Sequence, residues 1–487
     1  MVFSDLLFIF VFLPFFVITY ILGTWIDNKR IMHAENAERS LNRPMLWRNI
    51  SLIIFSLLFY SWGEPVYIVL MLIAVVLNYF SGLFIAKSHD DRLRKTWLIV
   101  GVAFDLAILG TFKYLGLFTG TLASVGLNVR VTNLALPIGI SFYVFQSISY
   151  LVDVYRKESP VQRNIFDLLL YIAMFPQLIA GPIVRYGTIA REIHSRSVSL
   201  TDASEGTYRF FIGLGKKVIF ANILGEIATQ LIGGSLENLS MWAAWVGIIA
   251  FIVQLYFDFS GYSDMAIGLG RAVGFHFREN FDHPFISKSL TEFWRRWHIS
   301  LGSFFRDYVY IPMGGNRRHQ LINIMTVWFL TGLWHGASWN FVAWGLYFGL
   351  ILLIEKYTLL KWRIPDMVRH LLTIALIIIG FGFFYFEDFG RLGQFYHAFF
   401  GMGGAQGMPL EVESLILDNL WLILFALLFC IPIRPIVARK LDEMSSANPS
   451  MAMPVMLTRA AISIGILLIS IALLVGATNN AFLYYRF

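Results

Sequence analysis

Two histidines, His298 and His335, occupy places where an imidazole is chemically conspicuous: one follows a run of basic and aromatic side chains, the other lies inside an apolar stretch. A neutral imidazole near its ordinary pKa is well suited to take a proton from a hydroxyl. The run Thr291-Glu292-Phe293-Trp294-Arg295-Arg296-Trp297-His298 leads into Arg306-Asp307-Tyr308 and then Gly314-Gly315-Asn316-Arg317-Arg318-His319. Guanidinium forks suit phosphates and a Gly-Gly-Asn turn exposes backbone amides, so Arg295, Arg296, Arg317 and Arg318 are candidates for holding an anionic phosphorylated donor. The same arginines equally suit a basic face on anionic lipid, and their pattern alone leaves both readings open.

His335 follows the apolar stretch 321–334 and precedes Gly336-Ala337-Ser338-Trp339-Asn340. Fourteen helical residues rise ~21 Å, so a chain entering at Arg318 brings His335 well inside a hydrocarbon slab of ~30 Å. An ionisable group there faces a bundle interior or a water-filled path and marks a functional site, or else bridges two helices by hydrogen bonds. Trp334 and Asn340 flank it and are candidates to support a developing negative charge. Upstream, Gln254 to Asp264 sets Asp258 and Asp264 among hydroxyls at the end of an apolar span. These carboxylates either line a cavity or cap helices and pair with arginines. No Gly-x-Ser-x-Gly elbow accompanies the histidines, and no His-Glu-x-x-His pattern offers zinc ligands, so neither a serine hydrolase nor a metal site is expected.

The elements that must position these groups belong to a membrane. Of 487 residues, 57% are hydrophobic and only 14% charged, and the mean hydropathy is +0.66. A soluble surface needs about 25% charged residues. The lone Cys430 excludes an intramolecular disulfide framework and cysteine-rich metal sites. Apolar stretches at 3–25, 50–62, 65–86, 97–119, 133–155, 218–232, 241–257, 340–360, 370–387, 415–433 and 460–478 predict an all-α polytopic integral membrane protein. The first is expected to remain as a membrane helix, because no basic residue precedes it and no small-residue cleavage site follows. Ser289 or Thr291 is placed to cap an amphipathic helix with Phe293, Trp297 and Phe304 on its apolar face and Glu292, Arg295, Arg296 and Ser300 on its polar face, expected at the cytoplasmic interface.

The net charge of +7 resolves into alternation. Lys29, Arg30, Arg39, Arg43 and Arg48 fill one loop, Trp62-Gly63-Glu64-Pro65 has none, and Lys87, Arg92, Arg94 and Lys95 fill the next. Arg156, Lys157 and Arg163, then Lys361, Arg363 and Arg369, and then Arg434, Arg439, Lys440 and Arg459 continue the basic side, against Arg130, Arg391 and Arg486 opposite. The positive-inside rule makes the rich side cytoplasmic and both termini extracytoplasmic, with no call for nucleic acid. Stretch 165–183 then lies between two cytoplasmic segments. It is expected to dip in and return, with Pro176 and Gly181-Pro182 as its breaks. No internal repeat supports an inverted-repeat transporter, although a proton or substrate path lined by His335, Asp258 and Asp264 remains the rival reading.

The runs Leu136-Pro137-Ile138-Gly139-Ile140-Ser141-Phe142-Tyr143, Gln177-Leu178-Ile179-Ala180-Gly181-Pro182, Tyr256 to Gly270, Glu292 to Leu301, Arg306 to Arg317 and Leu333 to Ala337 resemble the membrane-bound O-acyltransferase (MBOAT) family, within it the bacterial branch that O-acetylates alginate. The resemblance implies one membrane domain: N-terminal helices at 1–130, a catalytic core at 131–360 and C-terminal helices at 361–487. It also implies about 11–12 transmembrane helices with re-entrant segments around a central tunnel. His335 falls on the family's catalytic histidine and His298 on a second one nearer the cytoplasmic mouth. Further implications are a bacterial inner-membrane location, a cytoplasmic acetyl-CoA or acyl-carrier-protein thioester as donor substrate, no tightly bound cofactor, and surrounding lipid. An extracytoplasmic SGNH-type acyltransferase or polysaccharide-modification complex is the implied partner. D-alanylation of teichoic acid from a carrier-protein thioester is the alternative within the family.

Overall fold

A backbone in lipid has no water to satisfy its polar groups, and every regular element among the described residues is accordingly helical. The structure, a computed structural model, describes residues 1–32, 45–132, 134–403, 407–433 and 449–476, with short stretches at 436–437, 439–440, 443–444 and 482–483. Of the basic residues that set the expected topology, Arg39, Arg43, Arg434 and Arg486 lie outside the described residues. Among the described residues seven helices are long and apolar enough to cross a membrane, or eight if the pair Leu410–Asp418 and Leu420–Phe429, bent by 64°, is one span. The other expected spans correspond to shorter or interrupted helices. The chain forms two compact units, Met1–Phe210 with Ser263–Arg278, and Phe211–Tyr262 with Glu279–Phe487.

In the first unit α1 (Leu13–Met32) packs on α2 (Leu46–Gly63), and α3 (Ile68–Lys87) on α4 (Asp91–Leu109) and α5 (Ile140–Tyr155). Phe8, Phe12, Phe16, Phe59 and Phe175 form its aromatic seam, with Phe16 edge-on to Phe175 at 5.1 Å. Phe10, Phe15, Ile18, Ile21 and Trp25 are exposed on the opposite side of the first span, a surface suited to lipid and not to water. The guanidinium of Arg196 joins distant segments by donating to Asn49 Oδ1 (2.7 Å) and to the Val273 carbonyl (3.1 Å). Stretch 165–183 is a helix, α6 (Ile165–Ala173), a break at Met174, a four-residue turn of helix Phe175–Leu178 and a bend. Nine helical residues rise ~13 Å, under half of a hydrocarbon slab. The bend needs Gly181, where a Cβ would lie 2.6 Å from the Gln177 Cα. Then follow α7 (Tyr186–His194) and α8 (Leu200–Gly215).

The long α9 (Met241–Ala272) is apolar yet 78% buried, whereas the first span is 28% buried. Its hydrophobicity therefore serves protein packing more than lipid contact. In the second unit, the expected single amphipathic helix is two short ones, α10 (Leu290–Arg296) and α11 (Ile299–Phe305). The break is His298, whose backbone is left-handed (φ 48°, ψ 54°). Phe293, Trp297 and Phe304 are buried among protein aromatics and do not lie on a lipid surface, so tertiary packing overrides the helical periodicity. Ser289 caps α10 by accepting from Glu292 N (3.0 Å). The buried carboxylate of Glu355 adds a second cap, accepting from Leu290 N (2.6 Å) and Thr291 N (2.9 Å).

A hairpin of α12 (Gln320–His335) and α13 (Trp339–Ile354) carries His335 at its tip. The two helices approach through glycine: a Cβ on Gly345 would collide with the Trp328 carbonyl and lie 3.2 Å from the Gly332 Cα. The small-residue face of Gly345 and Gly349 is thus a packing seam. After α14 (Asp366–Tyr385) come α15 (Phe389–Phe399), the bent pair α16 (Leu410–Asp418) and α17 (Leu420–Phe429), and α18 (Ala452–Leu474).

Candidate active site

His335 is the last residue of α12 and is buried. Its ring is edge-on to Trp334 (4.9 Å between centroids), Trp344 (4.9 Å) and Phe384 (5.3 Å). His298 is also buried, edge-on to Phe259 at 4.6 Å, and its ring lies 5.4 Å from Trp334. The Trp334 indole therefore neighbours both imidazoles. Burial pushes the His298 imidazole down to about 3, so it is neutral at physiological pH. Its Nδ1 lies 3.1 Å from Asn280 Oδ1.

Both histidines open on one cavity of about 440 Å³. Ile324, Val327, Trp328, Thr331 and His335 supply one face of α12, and Ile299, Gly302 and Ser303 of α11, continued by Arg306 just past its end, supply another, each at helical i, i+3, i+4 and i+7 spacing. From Ile324 to His335 the α12 face runs ~16 Å. Arg295 and Arg306 are the cations of this lining. The Arg306 guanidinium is exposed and held against Asp307 by two contacts, Nε to Oδ1 at 2.6 Å and Nη2 to Oδ2 at 3.0 Å.

The structure separates the remaining sequence candidates from this cavity. Arg296 turns away to Glu292 Oε1 (3.0 Å) and Asp282 Oδ2 (2.8 Å). Arg317 and Arg318 are not among its lining residues; they belong to the turn before α12, where Asn323 Nδ2 donates to the Arg318 carbonyl (2.7 Å). Asp264 belongs to the first unit and pairs with Arg209 at 2.8 Å. Asp258 pairs with Lys217 Nζ at 2.7 Å and accepts from Leu483 N at 2.8 Å. Asn340 donates from Nδ2 to the Phe383 carbonyl (3.0 Å), tying α13 to α14. Arg306 and Asn280 were not singled out from sequence. For Arg306 a signal exists, the helical spacing from Ile299; for Asn280 nothing in the spacing points to His298.

A second cavity, about 370 Å³, lies by the C-terminal end of α14 and is lined by Lys217, Gln254, Glu387, Asp388 and Arg391 among others. Phe384 lines it too, and the same ring touches His335. One aromatic ring thus adjoins both the buried histidine of the first cavity and the charged wall of the second.

The family model for the membrane-bound O-acyltransferase family matches residues 66–387, the stretch that holds both histidines and the first cavity. The chain belongs to the MBOAT family. It is 41% identical over 427 residues to the probable alginate O-acetylase AlgI of Pseudomonas syringae pv. tomato, covering 85% of this chain and 78% of that protein. To the probable alginate O-acetylase AlgI of Pseudomonas aeruginosa it is 38% identical over 478 residues, covering 93% and 88%. A peptidoglycan O-acetyltransferase of Helicobacter pylori is 31% identical over 451 residues, covering 85% and 82%. This MBOAT protein is therefore a multi-pass membrane O-acyltransferase, and the rival transporter reading falls away.

Proposed function

We propose that this MBOAT enzyme moves an acetyl group from a cytoplasmic thioester, acetyl-CoA, to a hydroxyl presented from the extracytoplasmic side, for O-acetylation of an alginate-like exopolysaccharide. The observation that carries this reading is the single cavity onto which His298, His335, Arg295 and Arg306 all open. Its arginines suit the phosphates of a donor at the mouth, and its apolar, indole-rich wall suits an uncharged arm carrying the acyl group.

In the proposed step the acceptor oxygen adds to the thioester carbonyl carbon while His335 takes the hydroxyl proton. The tetrahedral intermediate collapses, the carbon–sulfur bond breaks, and the imidazolium returns the proton to the departing thiolate. Thioesters are activated enough for positioning and proton transfer to suffice. Exclusion of water by Trp334, Trp344 and Phe384 favours transfer over hydrolysis. The alternation of basic loops supports a reading in which Arg295 and Arg306 face the cytoplasmic side of the inner membrane, with the charged second cavity and both termini on the opposite side. The acceptor side is completed by a partner, an extracytoplasmic SGNH-type acyltransferase, since the outer cavity is small for a polysaccharide.

The test is label transfer from radiolabelled acetyl-CoA by the purified enzyme in lipid to an alginate oligosaccharide, with and without the partner. Transfer by wild type and none by His335→Ala supports the reading. Full activity in His335→Ala removes the general base, and labelling only from a carrier-protein thioester removes the donor.

A further inference from the structure

The polar contacts around His298 specify which of its nitrogens carries the proton. Asn280 is wholly buried, and its Oδ1 lies 3.1 Å from His298 Nδ1, 3.2 Å from Ser300 N and 2.9 Å from Ser300 Oγ. A backbone N–H can only donate, so the Asn280 atom that meets Ser300 N is the carbonyl oxygen and not the amide nitrogen. An oxygen facing Nδ1 requires a hydrogen on Nδ1. In a neutral imidazole the other nitrogen, Nε2, then has a lone pair and no hydrogen.

The backbone makes the arrangement rigid. Ile299 N donates to the Asn280 carbonyl (2.9 Å), and Asp282 N to the Arg296 carbonyl (2.9 Å), so the Asn280–Asp282 stretch is stitched to both sides of the left-handed His298. The ring is also held by the edge of Phe259. Burial supports the neutral state that makes the tautomer meaningful, since a charged imidazole would donate from both nitrogens.

We propose that Asn280 is a positioning residue that locks His298 as the Nδ1–H tautomer, so that the proton-accepting nitrogen of His298 is Nε2 and His298 cannot serve as an oxyanion donor from it. The inference rests on the proposed acyl transfer for its functional consequence. His298 then assists by accepting a hydrogen bond at Nε2 from the acceptor hydroxyl while His335 takes its proton, and stabilisation of the oxyanion falls to other groups.

The test separates tautomer from activity. A 15N-histidine magic-angle-spinning spectrum of the full chain in lipid, with His298 assigned by the loss of its signals in His298→Gln, is expected to show a protonated Nδ1 and an unprotonated Nε2. In Asn280→Leu that signature is expected to vanish into a mixture, and kcat to fall ~10²-fold with the donor KM unchanged. Asn280→Asp keeps an oxygen opposite Nδ1 and is expected to retain the tautomer and most of the activity. A wild-type spectrum with hydrogen on Nε2 overturns the inference. So does an Asn280→Leu variant that keeps wild-type kcat, or one whose kcat is lost while its His298 spectrum is unchanged, which marks a purely structural role. Absence of acetyl transfer by wild type itself, with the expected spectrum, counts against the proposed function and leaves the tautomer assignment standing.

Discussion

The two cavities of the second unit are linked through Phe384, which lines one and touches His335 of the other, but they are built of different materials. The one holding His298 and His335 is walled by indoles and aliphatic side chains, with Arg295 and Arg306 its cations and no carboxylate among its described lining residues. The one beyond Phe384 mixes Lys217 and Arg391 with Glu387 and Asp388. An apolar wall carrying two cations favours a guest with an anionic part and an uncharged arm. A wall of mixed sign favours a polar, hydroxyl-bearing guest. Under the proposed function donor and acceptor occupy separate chambers, and the following variants test that proposal.

Replacing His335 by Ala is expected to lower kcat for acetyl transfer by ~10²–10⁴-fold while leaving donor binding intact, measured by single-turnover label transfer and by equilibrium binding. Phe384→Ala opens the partition and is expected to raise acetyl-CoA hydrolysis at the expense of transfer by about 10-fold in their ratio; an unchanged ratio means the ring is not the divider. Breaking the buried pair with Lys217→Met strands Asp258 and is expected to destabilise the protein by about 3–5 kcal/mol, seen as a lowered unfolding midpoint in lipid or detergent. Arg295→Ala and Arg306→Ala are each expected to raise the donor KM by ~10-fold at constant kcat, with Arg296→Ala and Arg317→Ala near wild type. The reverse ranking would return the mouth to the turn before α12.

A further expected effect concerns pH. His298 sits at about 3 in the folded protein against an ordinary 6.5, so the unfolded chain binds the extra proton between those values. Stability is therefore full above pH 6.5 and declines as pH falls below it, by roughly 2 kcal/mol at pH 5. Thermal unfolding of wild type and His298→Gln across that range measures the difference between them.

His335 was legible because its depth follows from counting residues along an apolar helix, and a buried imidazole at a helix end has few bland explanations. The arginines were only half legible. Arg295, Arg296, Arg317 and Arg318 look alike in sequence, but Arg296 is drawn off by Glu292 and Asp282, while Arg306 reaches the cavity through helical spacing that begins only after His298. The left-handed backbone at His298 hid that break. Histidine adopts it here because Asn280 and the surrounding aromatics hold it, and these are contacts between residues far apart in periodicity. For Asp258 and Asp264 the sequence left two readings open, and it could not choose between them because being six residues apart on α9 says nothing about partners; Lys217 and Arg209 claim them separately.

The cavity-lining face of α12 from Ile324 to His335 has the character of a ruler. With the hairpin fixed by its glycine seam, the distance from the mouth to the imidazole cannot adapt to its guest. Under the proposed function a donor is then gauged by the reach of its arm, and whatever bears the arm, nucleotide or protein, is gauged separately by Arg295 and Arg306.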